Sequence, residues 1–192
     1  PQPDKPKHRG HKLTFSPVTE YALTQNLPVY QPLKMRDGEA EALVKQLAPE
    51  LIVVAAYGKI LPEEILNTPP YGSINVHSSL LPKYRGAAPI QRAIMDGNHL
   101  TGITIMRMER GLDTGPMLLQ RALGIGIDDT AATMHDELAD LGGRLMVEVL
   151  RQYADGDPSA GGKPMPAEAF WNGYCRAANK DGCGRAVSPS LG

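Results

Sequence analysis

Cysteine is almost missing from the 192 residues. Cys175 and Cys183 are the two present, in a C-x7-C spacing that fits no zinc or redox motif, and a single pair is a poor disulfide framework. A reducing, cytoplasmic compartment is therefore expected. No apolar stretch reaches the ~20 residues that a bilayer-crossing helix needs. The opening PQPDKPKHRGHK has no apolar segment of the kind a secretory signal carries, so no membrane role is expected. Neither a G-x-G-x-x-G after a strand nor a G-x4-G-K-[ST] is present, so nothing argues for a dinucleotide or a nucleoside triphosphate. There is no internal repeat and no excess of one charge: 20 Lys and Arg stand against 21 Asp and Glu, for a net charge of −1. Attraction to nucleic acid must then come from a local patch and not from the field of the whole molecule.

Hydrophobic residues make up 42% and charged residues 21%, the balance of a globular protein with a packed core. The length suits one domain, here placed at residues 1–155, with a Gly- and Pro-rich tail or linker over 156–192. The chain opens in mid-loop without Met, and is expected to be truncated. Residues 1–17 hold Lys5, Lys7, Arg9 and Lys12 against Asp4, broken by prolines and Gly10. They read as a basic loop, either merely solvated or in contact with phosphate.

Further on, Ala40, Leu43, Val44 and Leu47 recur at helical spacing, with Asp37 as N-cap and Pro49 as stop. Leu51 to Ala56 is a continuous apolar run rich in Val and Ile, the pattern of a strand buried on both faces. A short helical piece, Pro62 to Leu66, and a second strand, Ser73 to His77, follow. A helix over Ala87 to Asp96 has Pro89 in its first turn and Gly97 where a left-handed cap belongs. Gly102 to Met108 and Met117 to Ile125 read as strands flanking the loop at 110–115. A last helix, Thr130 to Tyr153, carries Met134, Leu138, Leu141, Leu145 and Val149 on one stripe, with Gly142 and Gly143 marking a kink or a close approach. Alternating helices and strands predict an α/β domain with a mostly parallel open sheet.

The two-residue period of a strand places Asn75 and His77 on one face near its C-terminal end, the edge where ligands of open α/β sheets bind. An amide donor beside an imidazole suits acyl transfer, the amide donating to an oxyanion while the imidazole handles a proton. Asp113, flanked by Gly111 and Gly115, is the candidate carboxylate. The same residues also serve as ordinary polar closures of turns, and spacing alone leaves both readings open. No second His or Cys stands at ligand spacing to His77, so no metal is expected. His8, His11, His99 and His135 are expected at the surface, and Met106, Met108 and Met117 in the core.

The run Asn75-Val76-His77-Ser78-Ser79-Leu80-Leu81-Pro82-Lys83-Tyr84-Arg85-Gly86-Ala87-Ala88-Pro89-Ile90-Gln91, with Gly102-Ile103-Thr104-Ile105 and Gly111-Leu112-Asp113-Thr114-Gly115, resembles the formyltransferase family that uses 10-formyltetrahydrofolate. The resemblance covers roughly residues 2–155. It implies a Rossmann-like α/β fold whose first strands are missing from this chain, and a catalytic trio of Asn75, His77 and Asp113. It further implies substrate contacts at Ala56, Tyr57, Gly58, Ser79, Leu80, Leu81, Pro82, Arg85 and Gly86. The folate, as formyl donor, would lie against the backbone after Val54 to Gly58 and the loop around Asp113. Arg85-Gly86-Ala87-Ala88-Pro89-Ile90-Gln91 and the opening residues resemble the branch that formylates initiator methionyl-tRNA. In that branch the loop holding Lys5, Arg9 and Lys12 meets the tRNA, and a barrel-like tRNA-binding domain follows. Neither a metal nor an obligate protein partner is implied. The alternatives are a family member acting on an amino sugar or glycinamide ribonucleotide, a formyltetrahydrofolate hydrolase, or an inactive fragment that binds folate or RNA weakly.

Overall fold

In the computed structural model, residues 1–7 and 12–156 are described, and the chain forms two compact units, Pro1–Ile74 and a second beginning at Asn75. The first unit opens on a hairpin where a plain loop was expected: β1 (Lys5–Lys7) pairs antiparallel with β2 (Lys12–Thr14). Prolines and charge suggested irregular backbone, but a two-stranded ladder needs only three paired positions, Lys5 with Thr14, Pro6 with Leu13 and Lys7 with Lys12. Helix α1 (Pro17–Thr24) follows at once. Ser16 caps it by accepting from the Thr19 N–H at 3.2 Å, and Pro17 occupies its first turn, where a missing N–H costs nothing.

Helix α2 (Glu39–Leu47) starts one residue later than expected. Gly38, at φ 88°, is its N-cap, while Asp37 accepts from the Glu39 N–H at 3.2 Å from just outside. Its apolar stripe is buried at Ala40 and exposed at Leu47. Strand β3 (Ile52–Ala55) corrects a second expectation. Its residues alternate between half-buried and exposed, with Val53 at 44% exposure, so it is not buried on both faces. β3 stands at the edge of the sheet among the described strands, and the face that carries Val53 is open. The short α3 (Glu63–Leu66) buries Ile65 and Leu66 and packs on α2.

The sheet order is β3-β4-β5-β6, and the boundary between units falls inside β4 (Ser73–His77). In the second unit, α4 (Pro89–Met95) begins at Pro89 and ends with Gly97 at φ 65°, the left-handed terminator expected there. Strands β5 (Leu100–Arg107) and β6 (Met117–Gly124) are antiparallel neighbours, with Ile103 opposite Arg121 and Ile105 opposite Leu119. The sheet is therefore mixed. Helix α5 (Ala131–Asp155) starts with a capping box between Thr130 and Thr133 and packs on β5 and β6.

The core of this unit lies between α5 and β5. Met134, Leu138, Leu145 and Val149 from the helix meet a strand whose Ile103, Ile105 and Met106 are no more than 1% exposed. Each such side chain is worth about 1.5–3 kcal/mol on burial. The expected tail and the residues Trp171, Cys175 and Cys183 lie outside the described residues, as do His8, Arg9 and His11.

The glycine pair inside α5 has two separate roles. A Cβ on Gly142 would come within 2.9 Å of Val76 Cγ1, whereas one on Gly143 would meet nothing within 4 Å. Replacing Gly by Ala in a helix gains about 1 kcal/mol where space allows, but overpacking a β-branched strand residue costs about 1–3 kcal/mol. Gly143→Ala is thus expected to raise the midpoint of denaturant unfolding and Gly142→Ala to lower it. Two shifts of the same sign in paired urea melts would contradict this account of the close approach.

Candidate active site

Strand β4 supplies the first two groups. Ile74 and Val76 point one way along the pleat and Asn75 and His77 the other, with His77 the last residue of the strand. The third group arrives from the β5–β6 connection. Arg107 N–H donates to the Pro116 carbonyl at 2.8 Å and closes that connection. A Cβ on Gly115 would run into the Arg107 carbonyl, so the loop can be drawn this tightly only with glycine there. Asp113 itself sits at φ 50°, a left-handed conformation that Asp tolerates better than most residues.

The result is a convergence on one carboxylate. Asp113 Oδ2 accepts from the Gly86 N–H at 2.8 Å and lies 3.6 Å from His77 Nδ1, while Asp113 Oδ1 is 3.5 Å from Asn75 Nδ2. The His77 and Asp113 side chains are 7% and 13% exposed. On the far side of the ring, His77 Nε2 is 2.8 Å from the Tyr84 carbonyl. That distance is a full hydrogen bond, and only an N–H can make it to a carbonyl. The Nε2 proton is thereby fixed. Nδ1 is then the nitrogen whose state is open to change, and it faces the carboxylate.

The segment that carries Tyr84 and Gly86 is held from beneath by a buried polar node. Thr104, fully buried in β5, donates its hydroxyl to the Ser79 carbonyl at 2.7 Å. It accepts from the Leu81 N–H at 3.2 Å and from Gln120 Nε2 at 2.8 Å. One donor and two acceptors are all a hydroxyl has, so Thr104 is saturated. Gln120 adds a bond to the Leu81 carbonyl at 3.1 Å, and Ser79 Oγ closes the turn onto the Lys83 carbonyl at 2.6 Å.

The structure distributes the other sequence-predicted contacts unevenly. Ser79, Leu80 and Leu81 bury their side chains, whereas Pro82 and Arg85 are exposed and Gly86 takes φ 83°. A ligand would meet this stretch through backbone atoms or through the exposed residues. In the first unit, Ala56 at φ 45° and Gly58 at φ 71° turn the chain after β3. Gln2 Nε2 donates to the Tyr57 carbonyl at 2.6 Å, and the Tyr57 hydroxyl reaches Met35 Sδ at 3.4 Å. Burial pushes the Tyr57 phenol above its ordinary value. Lys59 donates to the carbonyls of Pro32 and Leu33 at 2.8 and 3.0 Å, which ties the turn to the segment before α2.

Lys5 and Lys12 lie on the paired strands of the opening hairpin. His99 and His135 are exposed, and His135 Nδ1 is 3.2 Å from Asp136. Met106 is core, as expected, and Met108 and Met117 are half-buried. Among the described residues no group of three or more His, Cys, Asp or Glu is placed to hold a metal ion, and no helix is long and apolar enough to cross a membrane.

Comparison with known proteins adds to this geometry. The family model described as formyl transferase matches residues 1–150. A methionyl-tRNA formyltransferase from Dictyoglomus turgidum is 50% identical over 181 residues, covering 94% of this chain and 56% of that protein. One from Caldanaerobacter subterraneus subsp. tengcongensis is 56% identical over 156 residues, covering 81% of this chain and 50% of its own length. The chain thus spans about half the length of the curated relatives it matches. Among solved structures, phosphoribosylglycinamide formyltransferase from Bacillus halodurans superposes with a TM-score of 0.61 at 28% identity, covering 67% of this chain and 70% of that one.

The Thr104 node makes a direct prediction. Thr104→Val keeps the shape but removes the hydroxyl, orphaning the Leu81 N–H and the Ser79 carbonyl and stripping Gln120 of a partner. Each buried group left unpaired costs roughly 1–3 kcal/mol. A loss of stability of at least that size is expected by chemical denaturation. A loss well under 1 kcal/mol would mean that the node does not carry the loop.

Proposed function

The chain belongs to the formyl transferase family, and from that premise we propose that Asn75, His77 and Asp113 carry transfer of a formyl group from 10-formyltetrahydrofolate to the amino group of initiator methionyl-tRNA. The observation that carries this reading is the Asp113 carboxylate with Asn75, His77 and the Gly86 N–H gathered on it. In the reaction the amine nitrogen attacks the formyl carbon, a C–N bond forms, and the carbonyl pair moves onto oxygen. Asn75 has two amide hydrogens. One is directed to Asp113, and the other is available for the oxyanion, where a preorganised donor is worth about 3–4 kcal/mol.

His77 handles the proton. With Nε2–H held by the Tyr84 carbonyl, Nδ1 takes a proton from the attacking amine, and Asp113 at 3.6 Å balances the charge that forms on the ring. As the oxyanion collapses, the bond to N10 breaks and the same proton passes to N10, leaving tetrahydrofolate. His77 acts as base and then acid without a net change. Within the second unit, the loop around Asp113 is assigned to the folate, and Ser79 to Pro82 with Arg85 and Gly86 to substrate contacts.

The choice of methionyl-tRNA as acceptor rests on the relatives at 50% and 56% identity, each named for that substrate. The glycinamide-type structure, at 28%, supports the wider family. Lys5, Arg9 and Lys12 are assigned to the phosphates of the tRNA, whose attraction is electrostatic and dependent on salt.

Two measurements test these assignments in the full-length protein. Asp113→Asn retains an acceptor for the Gly86 N–H and a side chain that tolerates the left-handed backbone, but loses the charge facing His77. Single-turnover formylation is expected to slow by ~10²–10⁴-fold, the usual range for acid–base assistance, with little change in thermal midpoint. Near-normal turnover would remove Asp113 from the trio. Arg9→Ala is expected to raise KM for the tRNA and to flatten its salt dependence by about one ion, with KM for the folate unchanged. Equal rises in both KM values would instead give Arg9 a role in the fold.

A further inference from the structure

Tyr84 stands in a backbone conformation that its side chain disfavours. Its φ is 58°, and the left-handed region costs a residue with a Cβ roughly 1–2 kcal/mol. Something must hold it there, and the hydrogen bonds show what does. The phenol donates to Asp96 Oδ2 at 2.8 Å and accepts from Asn98 Nδ2. Both partners belong to the C-terminal turn of α4. There Gly97 N–H donates to the Ile94 carbonyl at 2.9 Å and Asn98 N–H to the Ala93 carbonyl at 3.0 Å. Those two bonds form the Schellman pattern that a left-handed Gly97 permits. Asn98 is secured again by its own side chain, which donates to the Ala93 carbonyl at 3.1 Å. The end of α4 is thus a rigid fork that grips the phenol, and the backbone of the gripped residue aims its carbonyl at His77 Nε2.

We propose that Tyr84 is a positioning residue: its phenol, clamped by Asp96 and Asn98, fixes the carbonyl that holds the proton on His77 Nε2 and so leaves Nδ1 as the working nitrogen. The tautomer of a histidine is set by the hydrogen bonds its ring nitrogens make, and here Nε2 donates to a main-chain carbonyl whose place depends on the clamped side chain of the same residue. Burial first, and then the hydrogen bond to Asp96, raise the phenol above its ordinary value of 10.0. Raising means the native state holds the proton more tightly than the unfolded chain does. The clamp is therefore intact below pH 10 and is lost only as pH rises beyond it. At neutral pH the donor is always present.

The kinetic consequence of the clamp depends on the assignment of His77 to transfer, but the clamp itself has a readout that does not. In the full-length protein labelled with ¹⁵N at histidine, the His77 Nε2–H proton is expected as a resonance protected from solvent exchange, identified by its disappearance in His77→Gln. Tyr84→Phe keeps the ring and its packing but not the grip, and Asn98→Ala removes one arm of the fork. Both are expected to abolish the protected resonance, whereas Asp96→Asn, which still offers an acceptor oxygen, retains it. Tyr84→Phe is also expected to lower kcat by roughly ten- to a hundredfold, the range for a misplaced catalytic group, with KM for the folate within about twofold. A protected proton that persists in Tyr84→Phe overturns the clamp. Loss of that proton together with undiminished turnover in His77→Ala leaves the clamp standing and overturns the assignment of His77 instead.

Discussion

Everything near the site depends on a single carboxylate that has more suitors than oxygens. Asp113 accepts from the Gly86 N–H, faces the Asn75 amide and lies against His77, so three segments of the second unit meet on two atoms. A carboxylate accepts several hydrogen bonds without conflict, which no neutral side chain of its size matches. Each of the three segments carries its own anchorage: β4 is a sheet strand, the β5–β6 connection closes through Arg107 and Pro116, and the Gly86 segment rests on Thr104. The carboxylate joins elements that are already stiff.

On the proposed reading of Asn75, His77 and Asp113, that arrangement separates two tasks that a catalytic centre has to reconcile. Polar groups that are to meet a substrate must keep unfilled hydrogen-bonding capacity, while the groups that position them must have none to spare. Thr104 illustrates the second class: its hydroxyl makes every bond it can, in a fully buried setting. Asn75 illustrates the first, with one amide hydrogen directed to Asp113 and one remaining. His77 belongs to both classes at once. Its Nε2 is committed to the Tyr84 carbonyl, and its Nδ1 faces the carboxylate without the short contact that would commit it too. A network whose members are satisfied on the supporting side and open on the working side is rigid and still reactive.

How far these features were legible beforehand varies by element. The strand Ser73–His77 was readable to the residue, since its period and its flanking breakers coincide. Helix α5 was visible from its stripe, and the doubt over its glycines resolved into close packing at Gly142 alone. Helix α1 has its start in Ser16-Pro17, an N-cap followed by proline in the first turn, but Thr19 is its buried residue and no apolar stripe marks it. The basic opening hid a hairpin because its ladder is backbone pairing, to which Pro and Lys contribute no pattern. Strand β3 misled because a run of Val and Ile reports affinity for a sheet and not which faces will be covered. The packing of neighbouring elements decides that, and it leaves the Val53 face open.

The sequence by itself determined the alternation of helix and strand through local periodicity, and the family and the chemical types at the site through the resemblance of the runs Asn75 to Gln91 and Gly111 to Gly115. Asn75 and His77 had to share a face as soon as that segment became a strand. What only the tertiary structure decided is the set of atom-to-atom contacts that join them to Asp113 and Tyr84, and Asp113 to Gly86. Asp113 lies 38 positions from Asn75 and comes within reach only after β5 and β6 pair and their tight loop turns the carboxylate inward. The grip of Asp96 and Asn98 on Tyr84, and through it the commitment of His77 Nε2, likewise depends on a helix end and a loop being brought together. Contacts of this kind obey the packing of whole elements, and the residues that make them leave no period in the chain.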